Sequence, residues 1–123
     1  PMFYTNHVGA QAELLFDGGS VVMSPDGTVY DELPYFVEDL RVYDLDDVMK
    51  GGQNKRQPSE KIELIHDALV MGVRDYFQKL GFKRAILGLS GGIDSAVTAV
   101  IAARALGPEN VLCVWPLLWA QVA

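Results

Sequence analysis

The residues best placed to do chemistry lie in one run, Ser90-Gly91-Gly92-Ile93-Asp94-Ser95. Two hydroxyls, two adjacent glycines and one carboxylate at this spacing suit the binding of a phosphate chain. The glycines let backbone approach an anion closely, and Ser90 and Ser95 add donors. Before the run, Arg84 to Leu89 is apolar and of strand length. After it, Ala96 to Leu106 is rich in Ala and Leu and meets the stop signal Gly107-Pro108, which predicts a buried helix. Strand, glycine turn and helix N-terminus together gather unpaired N–H groups and the positive end of a helix dipole at one point. A bare Asp94 there would repel a phosphate, so its position makes sense as a ligand or anchor for Mg²⁺ bridging phosphate oxygens. The plain structural alternative is a strand-to-helix turn with Asp94 or Ser95 as its cap.

Other motifs compete for the same residues. A Walker A loop needs a Lys after its second glycine, and this loop has none. The Rossmann spacing G-x-G-x-x-G is not spelled between Gly88 and Asp94. Gly88-Leu89-Ser90-Gly91-Gly92 does fit the nucleophile elbow G-x-S-x-G, with Ser90 as nucleophile of an α/β-hydrolase. That arrangement requires an acid and then a histidine further along, and no histidine follows Ser90. His7 and His66 both precede it.

The elements that hold the loop follow from the flanking pattern. Asn110 to Trp115 reads as a second buried strand, so the region forms a βαβ unit with a right-handed crossover and a parallel sheet. Upstream, a helix is expected from about Glu60 to Leu80, with Ser59 as its cap and Gly81 and Phe82 closing it. Ile62, Ile65, Leu69, Gly72, Tyr76 and Leu80 mark its apolar face, joined by Ala68, Val73 and Phe77. Gly72 on that face would let a neighbouring element come close. The N-terminal part reads as β: a strand over Phe3–Val8, then a hairpin pairing Val21–Met23 with Thr28–Tyr30 about the turn Ser24-Pro25-Asp26-Gly27. Residues 31–47 hold seven acids against Arg41 alone, the pattern of a solvated face or guarded edge strand.

Composition narrows the class. The 123 residues are 50% hydrophobic and 21% charged, ordinary for a globular chain of one domain or two partial ones. The net charge of −6 is uneven: residues 1–49 carry ten acids and one base, 50–59 three bases, and 60–123 six of each. A basic connector over 50–59, rich in Gly, Gln and Pro, therefore joins an acidic region to a neutral one. No basic patch interleaves with aromatics, which argues against nucleic acid as a partner. No apolar run reaches the ~18 residues of a membrane span, and no signal peptide is expected. The lone Cys113, read as a core residue, excludes an internal disulfide and suits a reducing, cytoplasmic setting.

Ser90-Gly91-Gly92-Ile93-Asp94-Ser95 resembles the PP-loop of the ATP pyrophosphatases, S-G-G-x-D-S/T. These enzymes cleave ATP to AMP and pyrophosphate while adenylating a substrate. Asn6-His7-Val8-Gly9, Phe16-Asp17-Gly18-Gly19-Ser20 and Pro25-Asp26-Gly27 resemble the later part of a nitrilase-type amidase, with Glu13 either near its pocket or a surface carboxylate. A nitrilase-like domain followed by a PP-loop domain is the layout of the glutamine-dependent NAD synthetase family, and Glu60 to Asp94 is similar to its entry into the synthetase domain. The resemblance implies an α/β chain: 1–49 closing a nitrilase-like α-β-β-α sandwich, 50–59 a linker, and 60–123 opening a Rossmann-like parallel-sheet domain. It implies ATP and Mg²⁺ as cofactors. Gly88, Leu89, Ser90, Gly91, Gly92, Ile93, Asp94 and Ser95 would bind ATP, and Asp94 the metal. It further implies deamido-NAD and glutamine or ammonia as substrates, and a homo-oligomer in the full-length enzyme. The amidase Glu-Lys-Cys triad would precede Pro1, so no catalytic residue is assigned and the chain alone is expected to be inactive. After Val114 the family continues with Met-Pro and a serine-rich stretch, whereas this chain reads Trp115-Pro116-Leu117. The alternatives are another PP-loop amidotransferase or adenylating ligase, the Ser90 hydrolase, and a non-catalytic nucleotide-binding piece.

Overall fold

A computed structural model describes residues 1–52 and 60–115. The cap expected at Ser59, most of the expected connector and the stretch after Trp115 lie outside the described residues. The chain divides into two compact units, residues 1–68 and 69–123.

Unit 1 is mostly antiparallel. Strands β1 (Met2–Tyr4), β4 (Val21–Met23) and β5 (Val29–Glu32) form a sheet in the order β1-β4-β5, with Phe3 opposite Val22 and Val22 opposite Asp31. The β4–β5 turn closes as its Pro-Asp-Gly chemistry requires: Ser24 N donates to Thr28 O at 2.9 Å and Gly27 N to Ser24 O at 3.0 Å. A separate hairpin joins β2 (Val8–Gln11) to β3 (Leu14–Asp17). The single strand expected over Phe3–Val8 is therefore broken. Thr5 to His7 leave the sheet because the Asn6 side chain bonds to the loop at Asp17 and Gly18 instead.

A six-residue helix that the sequence reading missed, α1 (Leu45–Lys50), follows the acidic stretch. Asp44 caps it by accepting from Asp46 N at 2.9 Å, acids occupy its first turn, and Lys50 closes the last turn on Asp47 at 3.0 Å. Its Val48 is fully buried and forms the centre of the core with Val22 and Tyr30, while Tyr43 packs on the cluster edge-on to Tyr30. Burying such a valine contributes roughly 1.5–3 kcal/mol.

Helix α2 (Lys61–Leu80) spans the division between the units. Its end is a Schellman motif: Gly81 has φ +72°, Phe82 N donates to Phe77 O at 2.8 Å and Gly81 N to Gln78 O at 3.1 Å. The rings of Phe77 and Phe82 then meet edge-on at 6.0 Å, as expected from the sequence. The expected inward face is corrected. Ile62, Ile65, Leu69, Tyr76 and Leu80 are exposed, while Val70 and Met71 are buried and Leu64, Ala68, Val73 and Phe77 half-buried. Apolar residues cover more than half of this helix, so spacing alone does not select the side that packing will use.

In unit 2, β6 (Ala85–Gly88) and β7 (Val111–Val114) pair in parallel, Ala85 opposite Val111 and Gly88 opposite Val114. Between them run α3 (Ile93–Leu106) and a short 3₁₀ turn, Pro108–Asn110. This strand–helix–strand order matches the expectation, but α3 is not the buried helix anticipated: none of its residues is buried. Cys113, expected in a core, is likewise exposed. Both corrections have one cause. Among the described residues the parallel sheet has only two strands, so most of its apolar surface has nothing packed against it.

Candidate functional site

The loop from Gly88 to Ser95 lies where β6 hands over to α3, at the carboxyl end of the parallel pair, the usual ligand side of such sheets. Leu89 N donates to Val114 O at 2.9 Å, extending the parallel pairing to the edge of the loop. Gly91 has φ +87°, a left-handed turn that side chains of L-residues rarely adopt. Gly92 is the N-cap of α3 in extended conformation and receives no side-chain cap. The first helical bond is Ala96 N to Gly92 O at 3.3 Å, so the amides of Ile93, Asp94 and Ser95 precede any intrahelical acceptor.

The serines stiffen this arrangement. Ser90 Oγ donates to Ser95 Oγ at 3.2 Å, and Ser95 Oγ donates to Gly92 O at 2.9 Å. Gly92 N lies 3.4 Å from Ser90 Oγ, a long and weak bond that leaves the amide available. Thr98 Oγ1 bonds back to Asp94 O at 2.8 Å. The Asp94 carboxylate has no partner among the described residues and is exposed in the first turn of α3. Open amides, two linked hydroxyls and a free carboxylate thus share one helix start, as the residue types suggested. Neither Asp94 nor Ser95 caps the helix, which weighs against a purely structural turn. Ser90 pairs with Ser95 rather than a histidine, so nothing favours a hydrolase nucleophile. No group of three or more His, Cys, Asp or Glu among the described residues could enclose a metal. A cation at Asp94 would therefore share its coordination with phosphate oxygens and water, which suits Mg²⁺.

The N-terminal motif residues also converge, as a mechanical joint. Asn6 Nδ2 donates to Asp17 Oδ1 and Gly18 O, both at 2.9 Å, Asn6 N donates to Ser20 Oγ at 3.0 Å, and Gly18 N donates to His7 O at 2.8 Å. Gly19 has φ +59°, and a Cβ there would run into the Tyr35 ring. Glu13 stands exposed in the two-residue turn between β2 and β3.

One polar cluster was missed. Asp31, read as part of a solvated acidic face, is 1% exposed. Its carboxylate accepts from Arg41 Nη1 at 2.7 Å, Tyr43 OH at 3.0 Å and Glu32 N at 2.9 Å. Burial pushes the Asp31 carboxyl up, but the bonds from Arg41 and Tyr43 outweigh it and hold it below the usual carboxylate range. Burial, and then the Asp31 carboxylate, push the Tyr43 phenol up to about 12. The available signal was the single base, Arg41, set among seven acids. Arg41 and Tyr43 also line a cavity of about 450 Å³ with Phe3, His7 and Glu38.

Over residues 65–117, a stretch that includes the entire glycine loop, the chain matches the NAD synthase family. Similarity extends well beyond that stretch. The glutamine-dependent NAD(+) synthetase of Rhodobacter capsulatus is 48% identical over 121 residues, covering 93% of this chain and 21% of that protein. The enzyme of the same name from Synechocystis sp. is 48% identical, covering 91% of this chain and 21% of its own length. The solved glutamine-dependent NAD+ synthetase of Acinetobacter baumannii, in complex with ADP, superposes with a TM-score of 0.82 at 42% identity, over 92% of this chain and 22% of that one. The resemblance to the glutamine-dependent NAD synthetases is borne out: this α/β chain is similar to them over more than nine-tenths of its length. It spans about a fifth of the length of the curated relatives it matches.

Proposed function

We propose that this chain is part of a glutamine-dependent NAD synthetase, a cytoplasmic and homo-oligomeric ligase. Residues 1–49 close its nitrilase-like glutamine amidohydrolase domain, 50–59 form the linker, and 60–123 open its PP-loop domain. The reaction adenylates the carboxylate of deamido-NAD with ATP, releasing pyrophosphate. Ammonia from glutamine then displaces AMP to give NAD. Within that reaction this chain holds the triphosphate. The amides of Gly91 to Ser95 donate to phosphate oxygens, the hydroxyls of Ser90 and Ser95 exchange their present acceptors for phosphate oxygens when the ligand enters, Gly88 and Leu89 flank them, and Ile93 continues the backbone into α3. Asp94 would hold Mg²⁺, which when bound neutralises phosphate charge and favours departure of pyrophosphate.

The observation that carries this reading is the α3 start, left without a side-chain cap beside a partnerless carboxylate. A relative that binds ADP supports the nucleotide assignment. Calorimetric titration with Mg·ATP tests it. The wild-type chain should bind saturably, and Asp94→Ala should weaken binding about tenfold and remove its dependence on Mg²⁺. Absence of heat from both Mg·ATP and magnesium pyrophosphate, or an unchanged Mg²⁺ dependence in Asp94→Ala, would sink the assignment.

A further inference from the structure

Two consecutive glycines make a loop permissive but also loose, because glycine surrenders more conformational freedom on ordering than any other residue. Something must therefore hold Gly91 in its left-handed turn before a ligand arrives. Hydrogen bonds fasten the neighbours on either side: Leu89 to Val114, Ser90 to Ser95, and Ser95 to Gly92. Gly91 itself makes no hydrogen bond among the described residues. One side chain stands over its open side. The Cζ2 and Cη2 atoms of Trp115 lie 3.8 Å from the point where a Cβ on Gly91 would stand, and apart from its chain neighbours Ser90 and Gly92 no other described residue comes within 4 Å of that point. Register explains the meeting. Gly88 pairs with Val114, so the residue after β7 arrives beside the residues after β6. Yet Trp115 remains 64% exposed, leaving much of a large ring in water at the mouth of an anion cradle.

We infer that Trp115 is a positioning residue for the glycine loop: its indole, set on the side where Gly91 lacks a Cβ, limits the turn to the one that aims the following amides at a nucleotide's phosphates. The inference rests on the reading of this loop as a phosphate site and adds a residue that the loop motif does not contain. It also gives a role to the tryptophan that stands where the family pattern has Met before Pro116. Removing the ring frees Gly91, so the binding-competent loop becomes a minor population and apparent affinity falls by that fraction. If one loop in ten stays competent, the dissociation constant for Mg·ATP rises about tenfold. A ring this close to the site must also report occupancy by its own emission.

The experiment uses the 123-residue chain carrying Trp119→Phe, so that Trp115 is its sole fluorophore of that kind. Titration with Mg·ATP, and separately with magnesium pyrophosphate, should change its emission saturably, with the midpoint found by calorimetry. Trp115→Ala should raise that midpoint about tenfold with an unchanged helical circular dichroism spectrum, and Trp115→Phe should restore most of the loss. Should calorimetry show wild-type binding while Trp115→Ala keeps the same midpoint and the emission stays flat, the role of Trp115 is overturned and the phosphate loop stands. Should neither ligand give heat with the wild-type chain, the loop assignment fails and this inference goes with it. If Trp115→Ala does not fold, Trp115→Leu takes its place: it should raise the midpoint several-fold, and a midpoint equal to that of the wild-type chain overturns the role of Trp115.

Discussion

Arg41→Ala should be among the most destabilising single changes in unit 1, although Arg41 lies in a charged loop. Its guanidinium is about one-third exposed, but the carboxylate it serves is almost wholly buried. Replacement leaves Asp31 with two of three donors, Tyr43 OH at 3.0 Å and Glu32 N at 2.9 Å. Stripping one partner from a buried pair costs about 3–5 kcal/mol, and a single hydrogen bond to a charged group about 1.5–3. Water still reaches one side of Arg41, so the lower range applies, about 2–3 kcal/mol. For a unit of this size that corresponds to a fall in Tm of roughly 8–24 °C. Urea denaturation followed by near-ultraviolet circular dichroism reads the loss directly, because Tyr43 packs edge-on to Tyr30 in the core. The double variant Arg41→Ala/Asp31→Asn should recover part of it, since the stranded charge is then gone. The pH dependence has a definite sign. The Asp31 carboxyl is held low in the fold, so its stabilisation is fully present above the unfolded carboxylate value of about 4 and is lost as the pH falls through the lower folded value. Arg41→Ala should flatten that acid limb. A cost below about 0.5 kcal/mol, or strict additivity with Asp31→Asn, would refute the reasoning.

Three further outcomes are expected. The Tyr43 phenol, raised to about 12, stabilises the fold fully below about pH 10 and loses that contribution as the pH climbs toward 12; one tyrosine should titrate late in tyrosinate absorbance, and Tyr43→Phe should abolish that late step. Gly19→Ala must drive a Cβ into the Tyr35 ring at φ +59° and should cost about 2–4 kcal/mol, whereas Gly27→Ala, at φ +85° with open space around it, should cost only about 1–2; equal melting shifts would show that the ring contact is immaterial. Cys113 should react with a thiol reagent in the folded chain as fast as in denaturant, and slow labelling released only by unfolding would contradict its exposure.

Local chemistry was readable from the residues wherever neighbours in sequence fix the geometry. The Pro-Asp-Gly turn, the Gly81-Phe82 helix end and the order of strand, glycine loop and helix depend on dihedral preferences and bonds spanning a few residues. Burial was less readable. Asp31 looks like one acid among seven until Arg41 and Tyr43, ten and twelve residues on, close over it. The inward face of α2 depends on which elements cover it, and its apolar residues surround too much of the helix to decide. Helix α1 was legible in principle, since Asp44 with Asp46 and Asp47 makes a sound helix start, but the run of acids disguised the cap as a solvated face. At the glycine loop the residue types were enough to place the strand, the turn and the helix start, while the ring over Gly91 comes from Trp115, twenty-four residues away.

The joint at Asn6 separates a signature from the chemistry associated with it. Asn6, Gly18, Gly19 and Ser20 match an amidase pattern, yet here the first and last of them spend their polar groups on backbone and loop partners, and Gly19 makes room for Tyr35. These residues work as a clasp that fastens the chain between β1 and β2 to the loop between β3 and β4. A chain could lose every nucleophile it ever carried and still require this clasp to fold. The pattern at the head of this chain therefore speaks for architecture, and turnover has to be sought in other residues.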